Sequence, residues 1–243
     1  MGIEEHRIKR VRLRAREIAE LEHFYTGNLG LPLLPPPQGP NVGKGAFAVL
    51  AGVTRLEFID AETDGPAPVH HFAFGIPQNM VNEALAWARP RVTLLRDASG
   101  DEIVHFQNWN AHAFYFQDPA GNILECIGRH GLPDHVSGTF HAGLIRSVNE
   151  VGVVVPDDIG VPNVVSYIQR STGLPVYGTV SDGFAAVGDE RGLLVIVREC
   201  RPWFMAEHVL ASIEETEVVF AGESNVDAPI AGLPLMLKTS KDA

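Results

Sequence analysis

The sequence predicts an α+β protein built from repeated βαβββ modules, and three observations predict it. One order of elements, a short strand, an amphipathic helix and then several strands, recurs three times along the 243 residues. Its strands alternate with a period of two, and its helices carry an apolar stripe at helical spacing. Pro- and Gly-rich stretches at 35–45 and 61–68 and a long polar joint at 129–147 punctuate the units.

The first module opens with RIKRVRLRA (7–15), where Arg10, Arg12 and Arg14 alternate with Val11 and Leu13, the mark of a half-buried strand. The helix REIAELEHFYT follows, with Ile18, Leu21, Phe24 and Tyr25 along one face. It stops at Gly27–Gly30, and GLPLL, GAFAVLAG and TRLEFIDA supply the strands. The second module begins at VHHFAFGIP (69–77), whose Pro77 fits the first turn of a helix. Met80, Val81, Ala84, Leu85 and Ala88 form the stripe, and VTLL, DEIVHF, HAFYFQ and NILECIG are the strands. The last two are joined by DPAGN, where Asp118, Pro119 and Gly121 match turn chemistry. The third begins at NEVGVVVPDD (149–158) and continues into a helix with Val161, Val164, Val165 and Ile168 in register. GLPVY then echoes GLPLL, FAAVGD and GLLVIVRE follow, and TEVVFAG adds a late strand.

A single unit cannot bury both sides of its small sheet, so units should pair. The expected organisation is two paired modules in residues 1–130 (7–61 and 69–129), a linker at 131–147 and a third, degenerate module at 148–243. The third must pack on the first two or pair across a homodimer.

Composition excludes several classes. The formal net charge is −11, with no basic tail or Lys/Arg block, which argues against a nucleic-acid partner. The stretch MGIEEHRIKRVRL is charged and lacks an apolar run of signal-peptide length. No stretch approaches ~18 consecutive apolar residues, so no membrane span is expected. Cys126 and Cys200 are far apart, which suggests a reducing cytoplasm and no disulfide scaffold. Dinucleotide, P-loop, serine-elbow and His-Glu-x-x-His motifs are absent.

Glu125, between Leu124 and Cys126, raises the question of function. An unpaired buried carboxylate costs several kcal/mol or takes up a proton. It therefore has a cationic partner or faces a solvated cavity.

HHFAFGI entering a helix, EHFYTGNLGLPL ending one and FYFQDPAGNILECI closing a module resemble the vicinal oxygen chelate superfamily. That group includes glyoxalase I, extradiol ring-cleaving dioxygenases and bleomycin-resistance proteins. The resemblance covers residues 7–130 and extends more loosely to the third module. It implies two modules closed into a cup-shaped mixed sheet with helices outside. A divalent metal would lie in the cup, held by the first-strand His and last-strand Glu of the modules, and would bond two neighbouring oxygens of the substrate. Matched to this sequence, those places are His71 and Glu125 in the second module and Glu57 in the first. The first-strand place of the first module falls on Arg10, which cannot ligate a metal. The third module offers Glu150, and only Leu194 or Val195 near its last-strand place.

The residues themselves leave alternatives. His71, Ala73 and Gly75 share a strand face opposite Phe72, Phe74 and Ile76, so the imidazole looks into the cup beside small neighbours. One His and two carboxylates make a mixed site for Fe, Mn, Zn or Ni. His71 also reads as a cup histidine hydrogen-bonded to Glu125 without metal. Arg10 shares its face with Arg12 and Arg14; it either pairs with Glu57 or joins them in binding an anionic ligand. Tyr115 is a candidate hydrogen-bond or proton donor, and Glu57 or Glu125 a candidate proton carrier. His70 and His112 read as structural, His105 as a rim contact, and Glu150 as part of a third-module interface or a degenerate cup.

Two functions compete. One is a metal-dependent lyase, isomerase or ring-cleaving dioxygenase acting on a small substrate with adjacent oxygens. Only one of the two first-strand histidines of the dioxygenases is present, which counts against that option. The other is a metal-free protein that binds an antibiotic-type or anionic small molecule. A scaffold whose third module serves assembly is the blander option.

Overall fold

The computed structural model describes residues 6–39, 42, 45–61, 65–230 and 232–241. Parts of the loops expected at 35–45 and 61–68, and the first five residues, lie outside the described residues.

The first module runs β1 (Ile8–Ala15), α1 (Ile18–His23), β2 (Leu33–Leu34), β3 (Ala46–Ala51) and β4 (Thr54–Asp60). The second runs β5 (His71–Ile76), α2 (Val81–Ala88), β6 (Thr93–Leu94), β7 (Ile103–Phe106), β8 (Ala111–Gln117) and β9 (Ile123–Arg129). The third runs β10 (Ser147–Val155), α3 (Val161–Thr172), β11 (Val176–Tyr177), β12 (Phe184–Asp189) and β13 (Gly192–Arg198). A hairpin of β14 (Pro202–Trp203) and β15 (Ala206–Leu210) follows, then β16 (Thr216–Ala221), β17 (Val226–Pro229) and β18 (Leu235–Ser240).

The strand order differs from the expected pairing of modules one and two. A nine-stranded sheet joins the third module to the second, in the order β11-β12-β13-β10-β5-β9-β8-β6, with β7 on β8. A seven-stranded sheet has the order β17-β18-β16-β1-β4-β3-β2. The first module is thus completed by the C-terminal strands. In each sheet two first strands meet antiparallel at the centre, β5 with β10 and β1 with β16, and each pairs parallel with a last strand on its outer side. The late strand at 216–221 therefore opens a fourth, shortened unit without a helix of its own. α3 covers it, contacting β17 and β18 as well as β12 and β13, and Tyr167 donates to the carbonyl of Pro229 at 2.9 Å.

Alternation decides which face is core. Phe72, Phe74, Phe114 and Phe116 of one sheet and Val11, Leu13, Phe47 and Phe58 of the other enter a single apolar core with all three helices. Fully burying each such side chain contributes about 1.5–3 kcal/mol, which outweighs local preference and fixes the register. The linker does not hang free. Arg146 makes a two-pronged ion pair with Asp134, and its carbonyl accepts from Val53 at 2.9 Å. Gly52 permits this approach: its φ is +61°, and a Cβ there would fall 2.0 Å from that carbonyl oxygen. Both cysteines are free thiols. Among the described residues no helix is long and apolar enough to cross a membrane.

Candidate metal centre

The opposite face of the nine-stranded sheet is concave and carries the site. Period two on β5 sends His71 and Ala73 to that face while Phe72 and Phe74 enter the core. The same alternation on β9 places Glu125 there, between the core residues Leu124 and Cys126. Register brings the third residue in: Ala73 pairs with Glu125 on one side and with Glu150 of β10 on the other. His71, Glu125 and Glu150 are all buried, and each offers a ligand atom within 4.8 Å of the others.

His71 is oriented by its backbone neighbour. Its Nδ1 lies 3.0 Å from the carbonyl of Ile123 and donates to it, so the lone pair is on Nε2, 3.8 Å from Glu125 Oε2. Burial lowers its pKa from 6.5 to about 4, against a smaller upward pull from the Ile123 bond, so it is neutral at pH 7. Burial raises the pKa of Glu125 well above the carboxylate range, and Glu150 adds to this; Tyr115 and Arg129 oppose it. Oε1 of Glu125 is buried without a hydrogen-bond partner. Such an atom is costly unless something satisfies it. Burial also raises the pKa of Glu150, and Arg129 counters by pairing with it. Arg129 donates from Nε to Asn149 at 2.8 Å and lies over the rings of Trp109 and Tyr177.

A cavity of about 280 Å³ opens over the three residues. The hairpin β14–β15 closes one side of it. Trp203 lies 5.2 Å from the His71 ring, and Phe204 lies 5.6 Å from Tyr115. Gly152, two residues after Glu150 on β10, makes room, since a Cβ there would fall 2.8 Å from the Trp203 ring.

This cup has ligand-type residues on first and last strands, as expected, but the second and third βαβββ modules make it in place of the first and second. Solved structures superpose on the chain over nearly its whole length. A candidate dioxygenase of Bacillus subtilis superposes with a TM-score of 0.63 at 12% identity, covering 99% of this chain and 87% of its own. The chain has the vicinal oxygen chelate fold. Glyoxalase I from Zea mays superposes with a TM-score of 0.55 at 15% identity, over 96% of this chain and 90% of its own. A point mutant of that enzyme gives 0.59 at 14%, over 97% and 94%. No protein-family model and no curated protein sequence matches the chain.

Within this vicinal oxygen chelate fold, the expected site residues divide between the two sheets. His71, Glu125 and Tyr115 line the cavity. Glu57 does not join them. It lies on β4 of the seven-stranded sheet and accepts from Arg12 at 2.7 Å and Arg55 at 2.5 Å. Arg10 pairs with Glu217 instead of Glu57, and Arg14 with Glu215 at 3.0 Å. The three arginines therefore do not face the cup, because β1 belongs to the other sheet. His70 is buried and bonded to the carbonyl of Arg14 at 2.8 Å. His112, expected in the core, is half-buried, stacked 4.2 Å from His105 and 2.7 Å from His130.

Register relates the two sheets. Arg12 pairs with Glu57 and Glu217 as Ala73 pairs with Glu125 and Glu150. Val219 pairs with Lys238 as Gly152 pairs with Val195. Hence Arg10, Glu57, Glu217 and Lys238 stand where His71, Glu125, Glu150 and Val195 stand in the cup. In the seven-stranded sheet two cations occupy ligand places, and Lys238 lies 3.7 Å from Glu217. In the cup the fourth place is the apolar Val195, which leaves three ligand-type side chains.

Proposed function

We propose that this chain is a divalent-metal enzyme acting on a small substrate with adjacent oxygens, with His71, Glu125 and Glu150 as ligands. The observation that carries the proposal is the convergence of a neutral imidazole, correctly tautomerised, and two buried carboxylates at the floor of one cavity. The donor set fits Fe, Mn, Zn or Ni, and the orphan Oε1 of Glu125 is an acceptor in search of a partner. A bound divalent ion would act as a Lewis acid on the substrate's oxygens.

The chain's own residues then do the rest. Arg129 opposes protonation of the buried Glu150 by holding one of its oxygens. Glu125, with its raised proton affinity, is placed to take a proton from the substrate and return it, as a lyase or isomerase requires. Tyr115 pairs with Glu125 across β8 and β9 and can donate a hydrogen bond to the carboxylate or to an oxygen in the cavity. Trp203 and Phe204 line the cavity and would limit the water beside the substrate.

A second reading, a metal-free binding protein, is favoured by the buried Arg129–Glu150 pair, which already neutralises one carboxylate. Metal analysis separates the two. Protein purified without chelator and offered Fe, Mn, Ni and Zn in turn should hold one ion per chain, and His71→Ala should lose it while keeping its far-UV circular dichroism. Wild-type protein that retains none of the four sinks the metal proposal.

A further inference from the structure

We propose that the cup's ligand is a one-ring aromatic molecule bearing an anionic group, and that Arg201 binds that group and selects for it. This rests on reading the cup as a small-molecule site, not on the metal.

The walls supply the first argument. Phe106, Trp109, Phe184, Trp203 and Phe204 surround a cavity of about 280 Å³, small for a ligand pocket and suited to a single flat ring. Aromatic rings from two separate parts of the chain meet in this wall: Phe106 lies 5.9 Å from Phe204, and Trp109 lies 6.1 Å from Phe184.

Charge supplies the second. Arg201 lines the same cavity and precedes β14, where its carbonyl accepts from Ala211 at 2.8 Å, so the hairpin fixes its place. Its guanidinium lies 5.2 Å from the ring of Phe184, and among the described residues no carboxylate pairs with it. Arg129, by contrast, is tied to Glu150. Partial burial lowers the pKa of Arg201 by desolvation, a cost that an anion would offset.

An unused donor supplies the third. Trp203 is 6% exposed and lines the cavity, and its Nε1–H is buried without an acceptor. An oxygen on the ligand would satisfy it. A flat apolar body with a carboxylate at one end meets all three features, whereas a neutral ligand leaves the guanidinium unpaired.

Benzoate and its neutral isostere benzamide test this on metal-free wild-type protein. Binding is read by saturation-transfer NMR and by quenching of tryptophan fluorescence. Benzoate should bind about tenfold more tightly than benzamide. Arg201→Gln should bring the two within about twofold, and Arg201→Lys should keep part of the preference. Both variants should retain wild-type circular dichroism, because the Arg201 side chain is not part of either apolar cluster. Equal affinities, a preference that survives Arg201→Gln, or no binding of either probe up to ~10 mM overturns the proposal. Neither probe has adjacent oxygens and the protein carries no ion, so failure here leaves the metal analysis of His71→Ala intact, and the reverse holds too.

Discussion

Removing the guanidinium of Arg129 tests how the cup tolerates its second carboxylate. The side chains of Arg129 and Glu150 are 1% and 3% exposed, so neither can turn to bulk water when the other is removed. Arg129→Met keeps much of the aliphatic stem and deletes the charge. Breaking a buried pair in this way costs ~3–5 kcal/mol. The lost contacts over Trp109 and Tyr177 add ~0.5–1 kcal/mol each. For a chain of this size the pair alone corresponds to a melting point lower by about 6–20 °C, at ~2–4 °C per kcal/mol. Urea titration followed by far-UV circular dichroism at pH 7 measures the difference. The sign with pH is set by Glu150. Its folded pKa, already raised by burial, rises further once Arg129 is gone. A carboxyl whose folded pKa exceeds its unfolded value destabilises the fold when ionised, so the penalty should shrink as pH falls through the folded pKa. Arg129→Met with Glu150→Gln should recover most of the loss. A single-variant penalty under ~1 kcal/mol, or a double variant no better than the single, would refute the claim that burial of this pair governs the floor of the cup.

Three further outcomes follow from the same geometry. Gly152→Ala should force Trp203 off β10 and cost ~1–3 kcal/mol by overpacking, seen as a lower melting point together with a red-shifted tryptophan emission. Glu57→Gln should destabilise by ~2–3 kcal/mol through its lost charged bonds to Arg12 and Arg55, yet leave metal stoichiometry at the wild-type value. Metal uptake near pH 6 should release a proton from Glu125 and not from His71, whose pKa of about 4 leaves it unprotonated there. Calorimetry in buffers of different ionisation enthalpy would show this release, and Glu125→Gln should reduce it.

Faces are legible in the sequence, and partners are not. Alternation on HHFAFGI and NILECIG assigns His71 and Glu125 to the face opposite the phenylalanines, as found. The pairing of first strands leaves no comparable trace. β1 and β5 both show one apolar and one mixed face, and nothing in either says which will meet β10. The site therefore gains Glu150 and loses Glu57, although Glu150 stands out as the third module's first-strand carboxylate. Arg129 is hidden at the start of a polar stretch that reads as a joint. A signal for it exists all the same: it lies four residues beyond Glu125, on the same strand face. The hairpin carrying Trp203 and Phe204 escapes sequence reasoning because its strands are too short for a periodic pattern. The C-terminal unit lacks the helix that marks the other modules.

The seven-stranded sheet carries its counter-ions on its own covalent chain. Arg10 and Lys238 are made at translation, cannot diffuse away and cannot be chelated. The nine-stranded sheet answers Glu150 in the same way, with Arg129, but leaves Oε1 of Glu125 buried without a partner. On the metal reading, removing divalent ions should therefore loosen the floor of the cup around Glu125 and leave the seven-stranded sheet, whose acids are paired within the chain, unchanged.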